Sequence, residues 1–242
     1  MAEQAIRMTG LPAGEHRPLS GRTLVGLWSV PVLLVAGAVV AAALGKAAYK
    51  WYVGEDGFVE NLQVVTYAVA LVYTVPATCR LYASGAPRWV VALYGLMVLG
   101  LVFMIGEELS WGQRLVGWGT PEAIADKNKQ AETNLHNIYG VGATFKWLQM
   151  VVAGYGVVLP LAVARWGRLA PWRDRLVWIA PHWTLIPFFA PLFAWRLYRN
   201  LVPDPSFLPY LVVEEFNEVV ELIFALGICL FMVYQWRRLR RS

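Results

Sequence analysis

Long apolar runs alternate with short polar segments along most of the chain. Each run has about 20 residues, the length that an α-helix needs to cross roughly 30 Å of hydrocarbon. The apolar–polar alternation of strands in an outer-membrane barrel does not occur. The pattern therefore predicts an all-α, polytopic transmembrane helical bundle of about six spans, near residues 23–44, 60–79, 89–108, 145–165, 176–196 and 214–236.

The segments outside the spans predict how the bundle is oriented. Most of the 21 Lys and Arg residues fall at the two chain ends and in every second connection, and such basic segments stay in the cytoplasm. We therefore expect a multi-pass protein of a bacterial inner membrane with both termini cytoplasmic. Around a single transmembrane domain, 23–236, we predict a disordered tail at 1–22, a basic tail at 237–242 and a structured outer loop at 109–144.

The composition agrees with this class. The 242-residue chain is 58% hydrophobic and 15% charged, and its mean hydropathy of +0.48 lies outside the usual range of soluble proteins. The net charge of +5 comes mostly from residues that flank apolar runs, so membrane topology explains it and a nucleic-acid partner is not expected. The two cysteines, Cys79 and Cys229, do not indicate a disulfide framework or a paired metal motif.

The acidic residues are distributed more unevenly than the basic ones. Of the 16 acids, only Glu3, Glu15 and Asp174 fall on the predicted cytoplasmic side, although topology does not require this. Counting about 1.5 Å per residue from the cytoplasmic arginine of each span brings acids of three spans to one outer depth. These acids are Glu60, Glu107, Glu108 and Glu218. The bases that end the other spans at this depth are Lys46, Lys146 and Arg196. We therefore predict one charged layer near the outer face.

The sixth predicted span carries three acids on one stripe. Glu214, Glu218 and Glu221 follow one another at intervals of four and three residues, which places them on one face of a helix. Glu221 falls about one turn below the outer boundary. An ionisable side chain is costly at that depth, so we expect the stripe to face the bundle interior or a water-filled cavity.

The outer loop contributes groups that suit metal binding or proton transfer. In the segment ETNLHN, Glu132 and His136 are four residues apart and would share a helix face. A carboxylate and an imidazole at this spacing can bind a divalent metal ion or exchange a proton. A loop histidine that bonds to its own helix explains the spacing as well. The predicted catalytic residues are Glu107, Glu108, Glu132, His136 and Glu218. The predicted metal ligands are Glu108, His136, Glu214, Glu218 and Glu221.

The same loop contains groups that suit an anionic substrate. Arg114 can hold a phosphate or carboxylate through two parallel hydrogen bonds, as in a lipid headgroup or a lipid-linked substrate. It can equally neutralise Glu107 or Glu108. The predicted substrate-binding residues are Gln113, Arg114, Asn134 and Glu60. Further along, Thr120-Pro121-Glu122 predicts the start of a helix, with Thr120 as its cap.

Two motifs in this region are distinctive when taken together. They are GEELSWGQRLVGWGTPE at residues 106–122 and ETNLHN at 132–137, with an EDG segment before them and an acidic last helix after them. Over roughly residues 50–225 the chain resembles a family of bacterial multi-pass membrane proteins that carries these motifs. The resemblance implies no activity. It implies that one unit is formed by Glu107, Glu108, Gln113, Arg114, Glu132, Asn134 and His136.

Three functions are consistent with these residues. The first is a membrane enzyme with an outward-facing carboxylate and histidine site, metal-dependent or proton-transferring, that acts on a lipid or envelope-linked substrate. The second is a cation- or proton-coupled transporter or channel that uses the acids of the sixth span. The third is an assembly or stabilising subunit in which the charged layer is purely structural. All three require the lipid bilayer as a partner.

Overall fold

The structure is a computed structural model that describes residues 19–54, 56–128, 132–135, 138–166, 169, 172, 176–202 and 210–241, the side chains of 210–214 and 241 excepted. Within these ranges every regular element is helical, and a single isolated bridge joins Asn128 to Ile138. The predicted all-α class is therefore confirmed. The predicted tail at 1–22 lies almost entirely outside the described residues.

The helices follow the predicted apolar runs closely. In chain order they are α1 (Gly21–Leu44), α2 (Lys46–Val53), α3 (Phe58–Ala83), α4 (Arg88–Glu108), α5 (Gln113–Val116), α6 (Glu122–Ala125), α7 (Val141–Arg165), α8 (Ile186–Leu201) and α9 (Tyr210–Arg241). Helix α9 continues without interruption through most of the predicted basic tail at 237–242. The connection between α4 and α7 contains a 3₁₀ turn and two one-turn helices.

Five stretches of the described chain are long and apolar enough to cross a membrane. They are Gly21–Leu44, Lys46–Ala83, Arg88–Glu108, Val141–Arg165 and Glu215–Arg240. An apolar helix of this length hydrogen-bonds all of its backbone internally, which is the condition for residing in hydrocarbon. The chain is thus a helical bundle built for a bilayer. The side of the membrane on which each terminus lies stays a prediction.

The fifth predicted span, 176–196, is helical only in its second part. Helix α8 starts at Ile186, after a 3₁₀ turn at Trp183–Leu185. Pro181 precedes that turn and has no N–H to donate to a helix. The side chain of His182 caps the turn by accepting a hydrogen bond from the backbone N–H of Thr184, at 3.4 Å. The segment therefore enters the bundle as an irregular chain and leaves it as a helix.

Contacts at both ends of this segment indicate how far it extends across the bundle. At one end Arg196 donates to Asn217 near the start of α9, at 2.8 Å. At the other end the backbone oxygen of Val177 accepts from Gln235, near the end of α9, at 2.8 Å. Asn217 and Gln235 are about 27 Å apart along the helix axis. Residues 177–196 thus run antiparallel to α9 over nearly the thickness of a hydrocarbon core, and whether they form the predicted sixth span stays a prediction.

Glycines allow α8 to approach its two neighbours closely. A Cβ atom added at Gly156 of α7 would lie 2.3 Å from the ring of Phe189, and one at Gly227 of α9 would lie 2.9 Å from Cβ of Phe188. Real Cβ atoms do not approach other heavy atoms at such distances, so only glycine fits at these positions. Small residues serve the same purpose at many helix interfaces in membranes, where dispersion contacts drive association.

Helix α9 forms the centre of the bundle. In the part of the chain that the structure describes, 61% of the apolar window of α9 is buried, compared with 17% for α1 and for α4. Its most extensive partner is α3, and α8 and α1 pack against other faces. Among the acids near the start of α9, Glu221 is buried and Glu215 and Glu218 are partly buried. The side chain of Glu214, the first residue of the predicted stripe, lies outside the described residues.

Candidate functional site

Helices α3 and α4 bring two buried acids and a buried amide together. Glu60 and Gln63 lie one turn apart at the start of α3, and Glu108 is the last residue of α4. All three side chains are buried. The Nε2 of Gln63 donates to Oε1 of Glu108 at 2.7 Å. This hydrogen bond joins the two helices at the depth where the sequence predicts a layer of acids.

Arg114 closes this part of the site from the loop that follows α4. Its guanidinium donates to Glu60 Oε1 at 2.5 Å and to the backbone oxygen of Glu108 at 2.6 Å, and it reaches Asp56 Oδ1 at 2.5 Å. Burial lowers the pKa of Arg114, but the hydrogen bond to Glu60 and the charges of Glu60, Asp56 and Glu132 outweigh it and raise this pKa. The carboxylate partners of Arg114 are thus Glu60 and Asp56, and not the side chains of Glu107 or Glu108 that the sequence offers as an alternative.

A left-handed turn after α4 directs the loop back over the bundle. Ser110, Trp111 and Gly112 have φ angles of 47°, 55° and 94°. For a residue other than glycine this conformation costs about 1–2 kcal/mol, so surrounding contacts must hold it. The turn brings the Trp111 indole beside Glu107, and its Nε1 donates to Glu107 Oε1 at 2.7 Å. Glu107 Oε2 accepts from the backbone N–H of Leu135 at 2.8 Å. Glu107 is therefore a buried anchor for the loop.

Ser110, Glu132 and Asn134 form the second anchor of the loop. The hydroxyl of Ser110 donates to Glu132 Oε2 at 2.5 Å, and the amide of Asn134 donates to the same oxygen at 2.7 Å. Ser110 and Asn134 are both buried. Asn128 extends the network by donating to the backbone oxygen of Asn134 at 2.7 Å. The ETNLHN motif is thus fastened to the GEELSWGQR motif through side chains of both.

Gln113 connects the same two motifs at a third point. Its Oε1 accepts from the backbone N–H and the hydroxyl of Thr133, at 2.9 and 2.6 Å. Its Nε2 donates to the hydroxyl of Thr120 at 2.7 Å. Helix α6 starts at Glu122 with no side-chain cap, so the predicted capping role of Thr120 is wrong. The hydroxyl of Thr120 accepts from Gln113 instead.

A second buried arginine organises the acids of α9. Arg196 of α8 is 3% exposed and donates to Glu221 Oε1 at 2.5 Å. Its other nitrogens donate to Gln149 Oε1 at 2.9 Å and to Asn217 Oδ1 at 2.8 Å. Glu221 also accepts from the amide of Asn217 at 3.2 Å. The charge of Glu221 is therefore compensated by a fully engaged cation.

Glu218 differs from the acids around it. It lies on α9 one turn before Glu221, is partly buried, and among the described residues forms no hydrogen bond or ion pair. The negative charges that act on it belong to Glu221, Glu108, Glu60 and Glu215. The structure thus gathers Glu60, Glu108, Glu218 and Glu221 at one end of the bundle. Among the described residues, Glu218 is the one of these four that accepts no hydrogen bond.

The metal prediction is not supported by the described residues. None of their His, Cys, Asp and Glu side chains form a group of three or more that could hold a metal ion. Two of the predicted ligands, His136 and the side chain of Glu214, lie outside the described residues. Glu221 is engaged by Arg196, and Glu132, a predicted catalytic residue, is engaged by Ser110 and Asn134.

Sequence reasoning missed several polar residues of the site. Gln63, Gln149 and Ser110 contact the predicted acids or arginines directly. For Gln63 a signal exists, because Glu60, Gln63 and Tyr67 follow one another at intervals of three and four residues and so share the inward face of α3.

Comparisons with protein-family models, with curated proteins and with solved structures found no match for this chain.

Proposed function

We propose that the protein is a membrane enzyme that acts on a lipid or lipid-linked substrate, with Glu218 as the residue that takes up and releases a proton. The observation that carries the proposal is the contrast between Glu218 and its neighbours. Glu60, Glu108 and Glu221 each accept from a positioned donor, and Glu218 accepts from none of the described residues. A carboxylate that no protein donor engages is free to exchange a proton with a substrate.

Electrostatics give Glu218 a reason to bind a proton. Carboxylates that share a site repel one another, and a shared proton or a bound cation relieves the repulsion. General acid–base catalysis requires a side chain that gains and loses a proton within hydrogen-bond reach of the substrate. Glu108 is the second carboxylate of the proposed site, because its charge acts on Glu218 and its position is fixed by Gln63.

Gln63 offers an additional contact for a substrate. Its Nε2 is bound to Glu108, and its Oε1 is buried without a hydrogen-bond donor among the described residues. Buried acceptors of this kind are uncommon and call for an explanation. A hydroxyl or amide group of a bound substrate would supply the donor. In the proposal Gln63 therefore orients the substrate next to the two carboxylates.

The loop residues have positioning roles in this proposal. The polar atoms of Gln113 and Asn134 and the two terminal nitrogens of Arg114 are engaged by protein groups. Arg114 keeps Glu60 compensated and fixes the end of α4 through the Glu108 carbonyl. We propose that the loop covers the carboxylates from the membrane surface and limits their contact with water, which strengthens electrostatic interactions beneath it.

Lipid turnover in a reconstituted membrane tests the proposal. The purified protein would be placed in vesicles of a total polar lipid extract, and the lipids would be followed over time by mass spectrometry. We expect a product in the presence of the wild type, and its loss in Glu218→Gln and Glu108→Gln. The matched control is Glu122→Gln, since Glu122 is an exposed acid on α6. A product that forms equally with Glu218→Gln would overturn the proposed role of this residue.

The same samples separate the proposal from its alternatives. Elemental analysis of the wild type and of Glu108→Gln tests a divalent cofactor, and a stoichiometric metal in the wild type would replace proton transfer as the role of these acids. Proton flux that depends on Glu218 without any lipid product would favour the transporter. The Arg196 guanidinium weighs against a cation path along α9, because it places a positive charge on Glu221.

A further inference from the structure

A cleft of about 390 Å³ lies on the membrane-embedded part of the bundle, between α4 and α7. Its walls include Met97 and Gly100 of α4 and Val152 of α7, and its floor includes Phe189 of α8 and Ile228 of α9. The lining is almost entirely apolar. The volume falls within the range of about 300–1,000 Å³ that is typical of small-molecule sites.

The cleft opens on the surface of α4 that faces the lipid. Gly100 and Leu96 of α4 are exposed at the level of the apolar core of that helix, and they belong to the lining. The cleft is therefore continuous with the lipid-facing surface. The part of the cleft next to Leu96 and Gly100 offers water few hydrogen-bond partners, and an apolar cavity needs polar groups before it holds ordered water. The acyl chains of the bilayer are the molecules that reach it.

The size of the cleft distinguishes a single chain from a protein helix. A helix with its side chains is about 10–12 Å across, so a volume of 390 Å³ would accommodate only about one turn of it. Neither a second copy of the protein nor a membrane-spanning partner can fill the cleft with one of its helices. A flexible hydrocarbon chain fits into such a volume without displacing α4 or α7.

One end of the cleft meets the carboxylate cluster. Tyr67 and Gln149 contribute polar groups to the lining. Gln149 accepts from Arg196, and the carboxylates of Glu108, Glu218 and Glu221 act electrostatically on Tyr67. Above this point the rings of Phe103 and Phe145 stack across the gap between α4 and α7 at 5.6 Å. A chain that enters from the bilayer thus has its polar end directed to the site.

We propose that the cleft binds one acyl chain of a bilayer phospholipid and presents the polar end of that lipid to Glu108 and Glu218. The assignment of this lipid as the substrate rests on the proposed function, whereas its binding does not. Gly100 lines the cleft, and a Cβ atom placed there meets no other atom within 4 Å, so a larger side chain at this position would extend into open space.

Photolabelling with a defined lipid tests this inference. The probe is a phosphatidylethanolamine that carries a diazirine in the middle of one acyl chain, diluted into phosphatidylethanolamine and phosphatidylglycerol vesicles that contain the full-length protein. After irradiation, labelled peptides are mapped by mass spectrometry. We expect labels concentrated on the cleft residues of α4 and α7, and a severalfold loss of these labels in Gly100→Phe.

The matched control is Gly95→Phe on the same helix. A Cβ atom at Gly95 also meets nothing within 4 Å, but Gly95 is not part of the cleft. Val152→Phe fills the cleft from α7 and serves if Gly100→Phe does not fold. Labels as dense on the exposed lipid face of α1, at Val32 and Leu33, as in the cleft would overturn the inference. Labelling that neither filled variant reduces would overturn it as well.

The two proposals fail in different ways. If the wild type is labelled in the cleft but converts no lipid, the proposed function is wrong and the binding site stands. If the wild type converts lipid and both filled variants convert it at the same rate, the binding site is wrong and the enzyme stands. Glu218→Gln should keep its cleft labels, because that residue is proposed to act on the lipid and not to hold its chain.

Discussion

Arg196 and Arg114 both form ion pairs with acids of the candidate site, but the two arginines lie in different surroundings. Arg196 lies within the helices, is 3% exposed and has a buried acid and two amides as partners. Arg114 lies in the loop, its side chain is 17% exposed, and one of its two acids, Asp56, is 77% exposed. The chemistry of the two pairs is the same, so the surroundings determine how much each pair contributes to stability.

This difference clarifies the position of Glu218. Two of the neighbouring charges are compensated: Glu221 by the buried Arg196 and Glu60 by the partly buried Arg114 of the loop. A purely structural layer would be expected to compensate every buried acid, since an uncompensated charge is costly inside a protein. Glu108 accepts from the neutral amide of Gln63, whereas Glu218 accepts from none of the described residues. The following predictions test whether that difference matters.

Removal of Arg196 should have the largest effect on stability. Arg196→Met leaves the buried charge of Glu221 without its cation, and breaking a buried pair in this way costs about 3–5 kcal/mol. Denaturant or thermal unfolding in detergent would measure the loss. Addition of Glu221→Leu to Arg196→Met should recover much of the stability, because no unpaired charge then remains. The control is Arg88→Met at the exposed start of α4, and an equal loss there would contradict the buried-pair interpretation.

Breaking the ion pairs of Arg114 should reduce the stability of the protein less than removing Arg196. The loss should also differ between the two acids, Glu60 and Asp56. Glu60→Gln weakens a buried, charge-assisted hydrogen bond to Arg114, for which we expect about 1.5–3 kcal/mol. Asp56→Asn affects an exposed partner and should cost less than about 1 kcal/mol. Unfolding in low and high salt would measure both, with the Asp56 contribution screened first. Equal losses of stability in Glu60→Gln and Asp56→Asn would show that the burial of the acid does not determine its contribution.

Glu218→Gln should have the smallest effect on stability and the largest effect on function. The amide has nearly the shape of the carboxylate, and its introduction removes a charge that other acids repel. We expect stability within about 0.5 kcal/mol of the wild type, or a gain. A loss as large as that of Arg196→Met would indicate that Glu218 has a structural partner and would favour the role of a stabilising subunit.

The sequence predicts the helices well, and the structure brings Glu60, Glu108 and Glu218 near one another. The depth of these residues in a membrane stays a prediction. Apolar runs of membrane length leave little choice of structure, and the rise of a helix converts residue number into depth. For this reason Glu60, Glu108 and Glu218 could be placed at one level before any contact was known. The stripe on α9 could be recognised from spacing alone, because helical periodicity fixes which residues share a face.

The choice of partners could not be predicted in the same way. Arg114 selects Glu60, 54 residues earlier in the chain, and not the nearer side chains of Glu107 and Glu108. The left-handed turn at Ser110 and Trp111 decides this, because it turns the loop back toward α3. Neither residue type signals such a turn, since positive φ is expected of glycine or asparagine. Lys46, which depth alone places in the layer, is exposed.

The broken entry to α8 has a consequence for the synthesis of the protein. Helix α8 has 16 residues, includes Arg196 and Arg199, and follows an irregular segment, so it is a poor membrane segment by itself. An arginine in the middle of an inserting helix costs about 2.5–3.5 kcal/mol. The acid that compensates Arg196 belongs to α9, which leaves the ribosome later. A nascent chain that ends before Glu221 would therefore contain Arg196 without the acid that compensates it.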